Sequence, residues 1–308
     1  MITVTLLGTA ATMPLPERAL TSVLLSYDGR SILFDCGEGT QAAARKAHVS
    51  LMKTDLIALT HYHGDHIFGL PGLLQTYSCL GRSSPLWITG PDGLEEVLST
   101  MLTLAGPLPY PVYALFLSGE NCMISDFLPG WSSRCGLTPF ATKHRVSSLG
   151  YRFFLSRPGK FHPETAAALG IPQSLWHVLQ NGDPITLEDG RIITPDMVMG
   201  EKRRGLSVVY SGDTAPCQAL TENALDTDLL ICEATYGSDS DAPHAAQYGH
   251  CTFSQAARTA SDARAKRLWL AHFSQVMEIP EDYLSYATRI YPDAVCGTDG
   301  MNITLNYN

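Results

Sequence analysis

Four short apolar runs constrain this chain more than anything else in it: DLIALT (55–60), SVVYSGD (207–213), DLLICEA (228–234) and RLWLAHF (267–273). Each is strand-length and gives way to polar or ligand-type residues at its C-terminal end. Helix-length amphipathic segments alternate with such runs, which is the pattern of a layered α/β fold. The first half adds strands at 2–8, 22–27, 31–35 and 85–90, and the pair Asp28-Gly29 predicts a tight hairpin turn between the second and third. Helices are expected over 39–48, 92–105 and Ser254 to Ala265, and a last strand over 301–307. Two similar halves of this kind predict two sheets facing each other with helices outside.

Residues 156–204 break the rhythm. They are rich in Gly, Pro and polar turn residues, with one short helical stretch from Pro163 to Leu169. We read them as an arm inserted into a single domain spanning 1–308. Six basic and six acidic residues leave the arm formally neutral, with a basic cluster (Lys202, Arg203, Arg204) at its end. A 45% hydrophobic chain of 308 residues has enough apolar surface for a real core. No run approaches ~18 apolar residues, so no membrane span is expected. The start, MITVTLLGTAATMP, lacks a basic stretch ahead of its apolar one and reads as a strand, not a signal peptide. Eight cysteines scattered without a C-x-x-C pair read as buried reduced thiols of a cytoplasmic protein, and a thiolate zinc site is not expected. The net charge of −9 excludes a basic-coated surface but not a local patch that grips an anion.

DLIALT runs straight into THYHGDH (60–66), where His61, His63, Asp65 and His66 offer four donors within six residues. They are too crowded for one tetrahedral ion. In an extended loop alternate residues point to opposite sides, so His61 and His63 can face one cation while Asp65 and His66 face a second. Two cations about 3.5–4 Å apart need further ligands and a bridging carboxylate. His144, Asp213 and His272, at predicted strand ends or loops, supply them. The first ion is expected on His61, His63, His144 and Asp213, the second on Asp65, His66, Asp213 and His272, with Asp213 bridging. Imidazole and carboxylate without thiolate suit zinc, with manganese or cobalt as substitutes, so hydrolysis is preferred to redox chemistry.

Further strings extend the pattern along nearly the whole chain: FDCGEGTQ (34–41), GLPGLL (69–74), HRVSSLGYRF (144–153), SGDT (211–214), CEATY (232–236) and GHCTFSQAA (249–257). With the His-x-His-x-Asp-His string, they resemble the ribonuclease Z (tRNA 3′-processing endonuclease) family of the metallo-β-lactamase superfamily. The resemblance implies an αββα sandwich of two mixed sheets between helices. It also implies a two-zinc endoribonuclease that removes the 3′ trailer of precursor tRNA and leaves a 3′-OH. Asp65 would orient or deprotonate the attacking water, His250 would act as general acid, and Glu233 would hold its imidazole. The arm would be an exosite that grips tRNA and presents it to the other subunit of a homodimer, with neither DNA nor membrane among the partners. GKFHPETAAALGIP (159–172) is similar to that arm. QSLWHVLQNGD (173–183) departs from it, with Gln173-Ser174 and Asn181 where members usually carry Gly-Pro and a Lys.

The remaining candidates have plainer readings. His48 ends a helix, His162 and His177 lie in the arm, and His244 lies in the polar loop DSDAPHAAQYG. Asp35 and Glu38 are expected to brace the metal loop from behind, and Thr40 and Gln41 to begin a helix. Arg145 and the Lys202–Arg204 cluster either meet phosphates or form a solvated face, and Tyr236 and Phe273 either stack on bases or pack. Two other functions stay open: a phosphodiesterase of the same fold acting on small diesters, and a non-catalytic RNA-binding relative.

Overall fold

The computed structural model describes residues 1–118 and 122–307. Seven strands form the first sheet: β1 (Ile2–Gly8), β2 (Ser22–Tyr27), β3 (Arg30–Phe34), β4 (Thr54–Ala58), β5 (Leu86–Thr89), β6 (Val112–Leu115) and the last strand, β16 (Asn302–Leu305). Their order is β16-β1-β2-β3-β4-β5-β6. β1, β2 and β3 pair antiparallel, and β3 to β6 are parallel. Asp28 and Gly29 both have positive φ (50° and 74°), the twist-matched two-residue turn that this dipeptide predicts.

The second sheet is built from β7 (Cys122–Met123), β8 (Cys135–Ala141), β9 (Leu149–Arg157), β12 (Arg203–Tyr210), β13 (Leu229–Glu233), β14 (Leu268–Ala271) and β15 (Ala294–Cys296). Its order is β15-β14-β13-β12-β9-β8-β7, with β12 to β15 parallel. Parallel strands are covered on both faces, which is why DLIALT, SVVYSGD, DLLICEA and RLWLAHF read as continuous apolar runs. The helix Leu70–Cys79 covers the first sheet with Leu73, Leu74 and Tyr77, joined by Leu94 and Leu98 of Leu94–Ala105. The helix Phe253–Asp262 covers the second with Phe253, Ala256, Ala257 and Ala260. Thr252 and Gln255 close its N-terminus as a reciprocal capping box, so the backbone amides there are satisfied locally. Between the sheets, the Phe34 ring lies 5.8 Å from Tyr151 and 5.7 Å from Tyr210, and Tyr151 donates its hydroxyl to the Leu59 carbonyl at 2.7 Å. These are the αββα layers expected from the sequence.

Two compact units divide the chain. One comprises Met1–Cys122, Leu137–Phe153 and Ser207–Asn308; the other comprises Met123–Gly136 and Phe154–Leu206. Residues 156–204 fall in the second unit, which also takes in 123–136. That unit has its own core of Ala166, Ile171, Leu179, Ile185, Ile193 and Val198. Its hairpin joins β10 (Ile185–Thr186) to β11 (Ile192–Ile193), and Trp176 packs on Phe161 while donating its indole N–H to the Ile171 carbonyl. The helix expected from Pro163 is present over Pro163–Ala168. No helix among the described residues is long and apolar enough to cross a membrane.

Two local readings need correction. Ala242–Tyr248 is a helix, not a polar loop: Pro243 sits in its first turn, where a missing N–H costs nothing, and Gly249 ends it with φ 75°. The cysteines are reduced thiols as expected, but Cys79 is exposed and Cys122 and Cys217 are half-buried, leaving five buried thiols.

Candidate metal centre

Every predicted donor lies in the first unit. β4, β12, β13 and β14 deliver their C-terminal ends to it, the edge where parallel sheets gather their sites. The loop geometry differs from expectation. Gly64–Ile67 forms a helical turn, so Asp65 and His66 diverge from His61 and His63 by helical rotation and not by strand alternation.

The donor atoms converge in two sets. One atom each from His61, His63, His144 and Asp213 lie within 4.8 Å of one another, as do atoms of Asp65, His66 and His272. Asp213 touches both sets. Its Oδ2 is 3.6 Å from His61 Nε2, and its Oδ1 is 3.3 Å from His66 Nε2 and 3.2 Å from His272 Nε2. His61 Nε2 is 2.9 Å and His144 Nε2 3.4 Å from His63 Nδ1, while Asp65 Oδ2 is 3.4 Å from His272 Nε2.

In four of the five rings, those of His61, His66, His144 and His272, the far nitrogen is committed elsewhere. Asp35 takes the Nδ1–H of His66 at 2.8 Å, and the Gly249 carbonyl that of His144 at 2.9 Å. Two threonines repeat one device: Thr60 gives its hydroxyl proton to Asp35 and accepts from His61 Nδ1, and Thr235 gives its own to Glu233 and accepts from His272 Nδ1. With Nδ1 held in this way, each of these four rings turns Nε2 to the centre, where its lone pair would serve a cation. Asp213 Oδ1 is buried without a hydrogen-bond partner, an arrangement of lone pairs and carboxylates that repels itself unless a cation enters. The charges point the same way. Burial and neighbouring His66 push His61 down to about 2, keeping it neutral. His66 is drawn towards protonation against its burial by Asp213 and Asp35, so these carboxylates favour positive charge at the centre. The donor set fits a divalent metal.

Three of the seven non-glycine residues with positive φ among the described residues also lie here. Thr12, Asp35 and His272 are non-glycine residues with φ of 64°, 56° and 59°, and all three touch the centre. Thr12 donates its N–H to Asp65 Oδ2 at 2.7 Å. No side-chain motif signals a backbone donor, so the sequence gives no hint of Thr12. Thr60, Thr235 and Tyr210, whose hydroxyl donates to Asp35 at 2.8 Å, were equally hidden among ordinary strand residues.

Beside the donor sets, Glu233 Oε1 accepts His250 Nδ1–H at 2.8 Å, and the carboxylate also accepts the backbone N–H groups of Thr214, Thr235 and Cys251. His250 therefore does not cap the following helix. Its ring is 5.0 Å from His144 and 5.6 Å from His272. Asp213, His250 and His272 also bring donor atoms within 4.8 Å of one another, so proximity alone allows His250 a ligand's role. Of the other candidates, Asp35 is fully buried behind the centre and Thr40 begins the helix Thr40–Lys46, as expected. Glu38 does not brace the loop: it is exposed and lines a cavity of about 310 Å³ with Arg18, Lys46 and Asp299. Phe273 is fully buried against Phe253 and is a core residue.

This fold and donor set define a class. The family model described as Metallo-beta-lactamase superfamily matches residues 16–134, and the Beta-lactamase superfamily domain matches 164–273. The chain is 41% identical to ribonuclease Z of Lachnospira eligens and 39% identical to that of Lachnoclostridium phytofermentans, each alignment covering 100% of this chain and 99% of the relative. The solved human tRNase Z, short form, is similar with a TM-score of 0.67 at 28% identity, over 99% of this chain and 100% of that one. The chain belongs to the ribonuclease Z family.

Proposed function

We propose that this protein is a metal-dependent endoribonuclease that cuts precursor tRNA on its 3′ side, releases the trailer and leaves a 3′-OH on the tRNA. The observation that carries the reading is the seven-residue donor cage with the Glu233–His250 pair at its side, in a chain that matches ribonuclease Z from end to end. His61, His63, His144 and Asp213 would hold a first ion and Asp65, His66, Asp213 and His272 a second, with Asp213 shared; the donor types suit zinc, and manganese or cobalt can substitute. A bound pair of divalent ions would supply Lewis-acid polarisation of the phosphodiester and offset its negative charge.

The chain's own residues do the rest. Asp65, pinned by the Thr12 N–H, orients the attacking water and receives its proton. His250 donates from Nε2 to the departing oxygen, because its Nδ1–H is committed to Glu233. Burial opposes the imidazolium, but the Glu233 charge and hydrogen bond prevail and lift His250 to about 9, so the donor is charged at neutral pH. The arm at 156–204 would grip tRNA, and a homodimer would let one subunit's arm present substrate to the other.

The zinc-loaded protein should cleave both a precursor tRNA and bis(p-nitrophenyl) phosphate. Hydrolysis of the small diester without RNA processing would overturn the RNA reading in favour of a general phosphodiesterase. Inactivity on both, with metal bound, would leave an RNA-binding relative. Asp35→Asn should weaken metal binding about 10- to 100-fold in a chelator competition, because the charge orienting His66 is lost; unchanged affinity would show that the Asp35 charge is unimportant to the cage.

A further inference from the structure

Next to the Glu233–His250 pair lies a run of rings that the reaction itself does not use. The Tyr236 ring is 6.2 Å from His250; His244 stands edge-on to Tyr236 at 5.4 Å and 89°; Tyr248 follows at 4.6 Å from His244. The Arg145 guanidinium lies over the Tyr248 ring, 5.3 Å from its centroid. His244 and Tyr248 come from Ala242–Tyr248, the helix that the polar composition of this stretch conceals. Gly249 fixes the helix against the 144–145 backbone. A Cβ there would sit 3.0 Å from His144 Nδ1 and 3.2 Å from the Arg145 nitrogen, so a side chain at this position of φ 75° would press the two segments apart. The strip is thereby tied to the centre at both His144 and His250.

Packing alone does not explain its outer members. His244 and Arg145 are exposed, and Tyr236, Tyr248 and His250 are half-buried. Among the described residues the Arg145 guanidinium has no hydrogen bond or carboxylate partner, so its donors are free for an anion. The acids of this segment, Asp239 and Asp241, precede the helix at the end opposite Tyr248 and Arg145. Planar π-faces suit a nucleobase, and a guanidinium beside them suits a phosphate.

We propose that Tyr236, His244, Tyr248 and Arg145 form a subsite that stacks one unpaired nucleobase of the RNA and pairs with its neighbouring phosphate. The proposal rests on the endoribonuclease reading and adds where the single-stranded substrate lies as it leaves the centre. The four are positioning residues: they hold the strand so that the scissile phosphate meets His250 and the cage.

The test compares zinc-loaded wild-type protein with Tyr248→Ala, Tyr248→Trp, His244→Ala and Arg145→Ala, reading kcat and KM on precursor tRNA and on bis(p-nitrophenyl) phosphate, and affinity for a single-stranded oligoribonucleotide. Tyr248→Ala should raise KM for RNA about 10- to 100-fold, mainly without a matching fall in kcat, while Tyr248→Trp keeps most of the RNA affinity. His244→Ala and Arg145→Ala, at exposed positions that do not endanger folding, should move RNA KM in the same direction by about 3- to 10-fold. Equal losses on RNA and the small diester would overturn the proposal, since the strip would then act only by propping His250. Unchanged RNA kinetics and affinity would overturn it too. If wild-type protein cleaves no RNA, the endoribonuclease reading fails by itself, and the oligoribonucleotide affinities still decide the subsite.

Discussion

Asp213→Ala is expected to lower cleavage of precursor tRNA by about a thousandfold or more and to reduce bound metal from two ions per chain to one or fewer. Among the described residues, Asp213 is the one whose two oxygens reach both donor sets: Oδ2 approaches His61 while Oδ1 lies between His66 and His272. It is 2% exposed and is held far down its titration range by His272 and His66, although burial opposes that charge. Removing it leaves five imidazoles and Asp65 facing one another without the shared carboxylate that would offset the charge of two cations. The rings themselves should stay in place, because Asp35, Thr60, Thr235 and Gly249 hold them from behind. Loss of metal should therefore come with a native circular dichroism spectrum. Metal content by elemental analysis and turnover on the same sample check this. A variant that keeps two ions and near-normal turnover would remove Asp213 from the bridging position.

The side chains of this centre were legible because their chemistry is unusual in sequence. Three histidines and an aspartate packed into six residues after an apolar strand have few structural uses, and His144, Asp213 and His272 recur where the next strands end. The supports were not legible. Thr60 and Thr235 look like ordinary strand-end residues, yet each relays a carboxylate to a histidine. Thr12 acts through its backbone, and the positive φ of Asp35 and His272 leaves no mark in residue type. At the level of the fold, buried parallel strands announced themselves by continuous apolar runs. Helix Ala242–Tyr248 did not, because three alanines with His244 and Gln247 carry little amphipathic signal. The same weakness hid the strip of rings, which depends on that helix. The segment 123–136 joins the second unit through contacts distant in sequence, which local composition cannot reveal.

His250→Ala should slow turnover on precursor tRNA about 10²- to 10⁴-fold, the range for losing a general acid, while both ions stay bound. The two effects separate because His250 faces Glu233 with one nitrogen and the reaction with the other, and among the described residues Glu233 hydrogen-bonds to none of the predicted metal donors. Glu233 itself is a poorer probe. Its carboxylate accepts three backbone amides, so replacing it unties the ends of β12 and β13 as well as the imidazole. In His250→Ala those amides keep their acceptor and the cage keeps its supports. The cage offers one competing arrangement, Asp213 with His250 and His272 as a ligand set, and metal content distinguishes the two. If the variant loses an ion together with its turnover, His250 is a ligand and the general acid must be sought elsewhere. If it keeps both ions and its turnover, the proton reaches the leaving oxygen by another route, and the Glu233–His250 pair is structural.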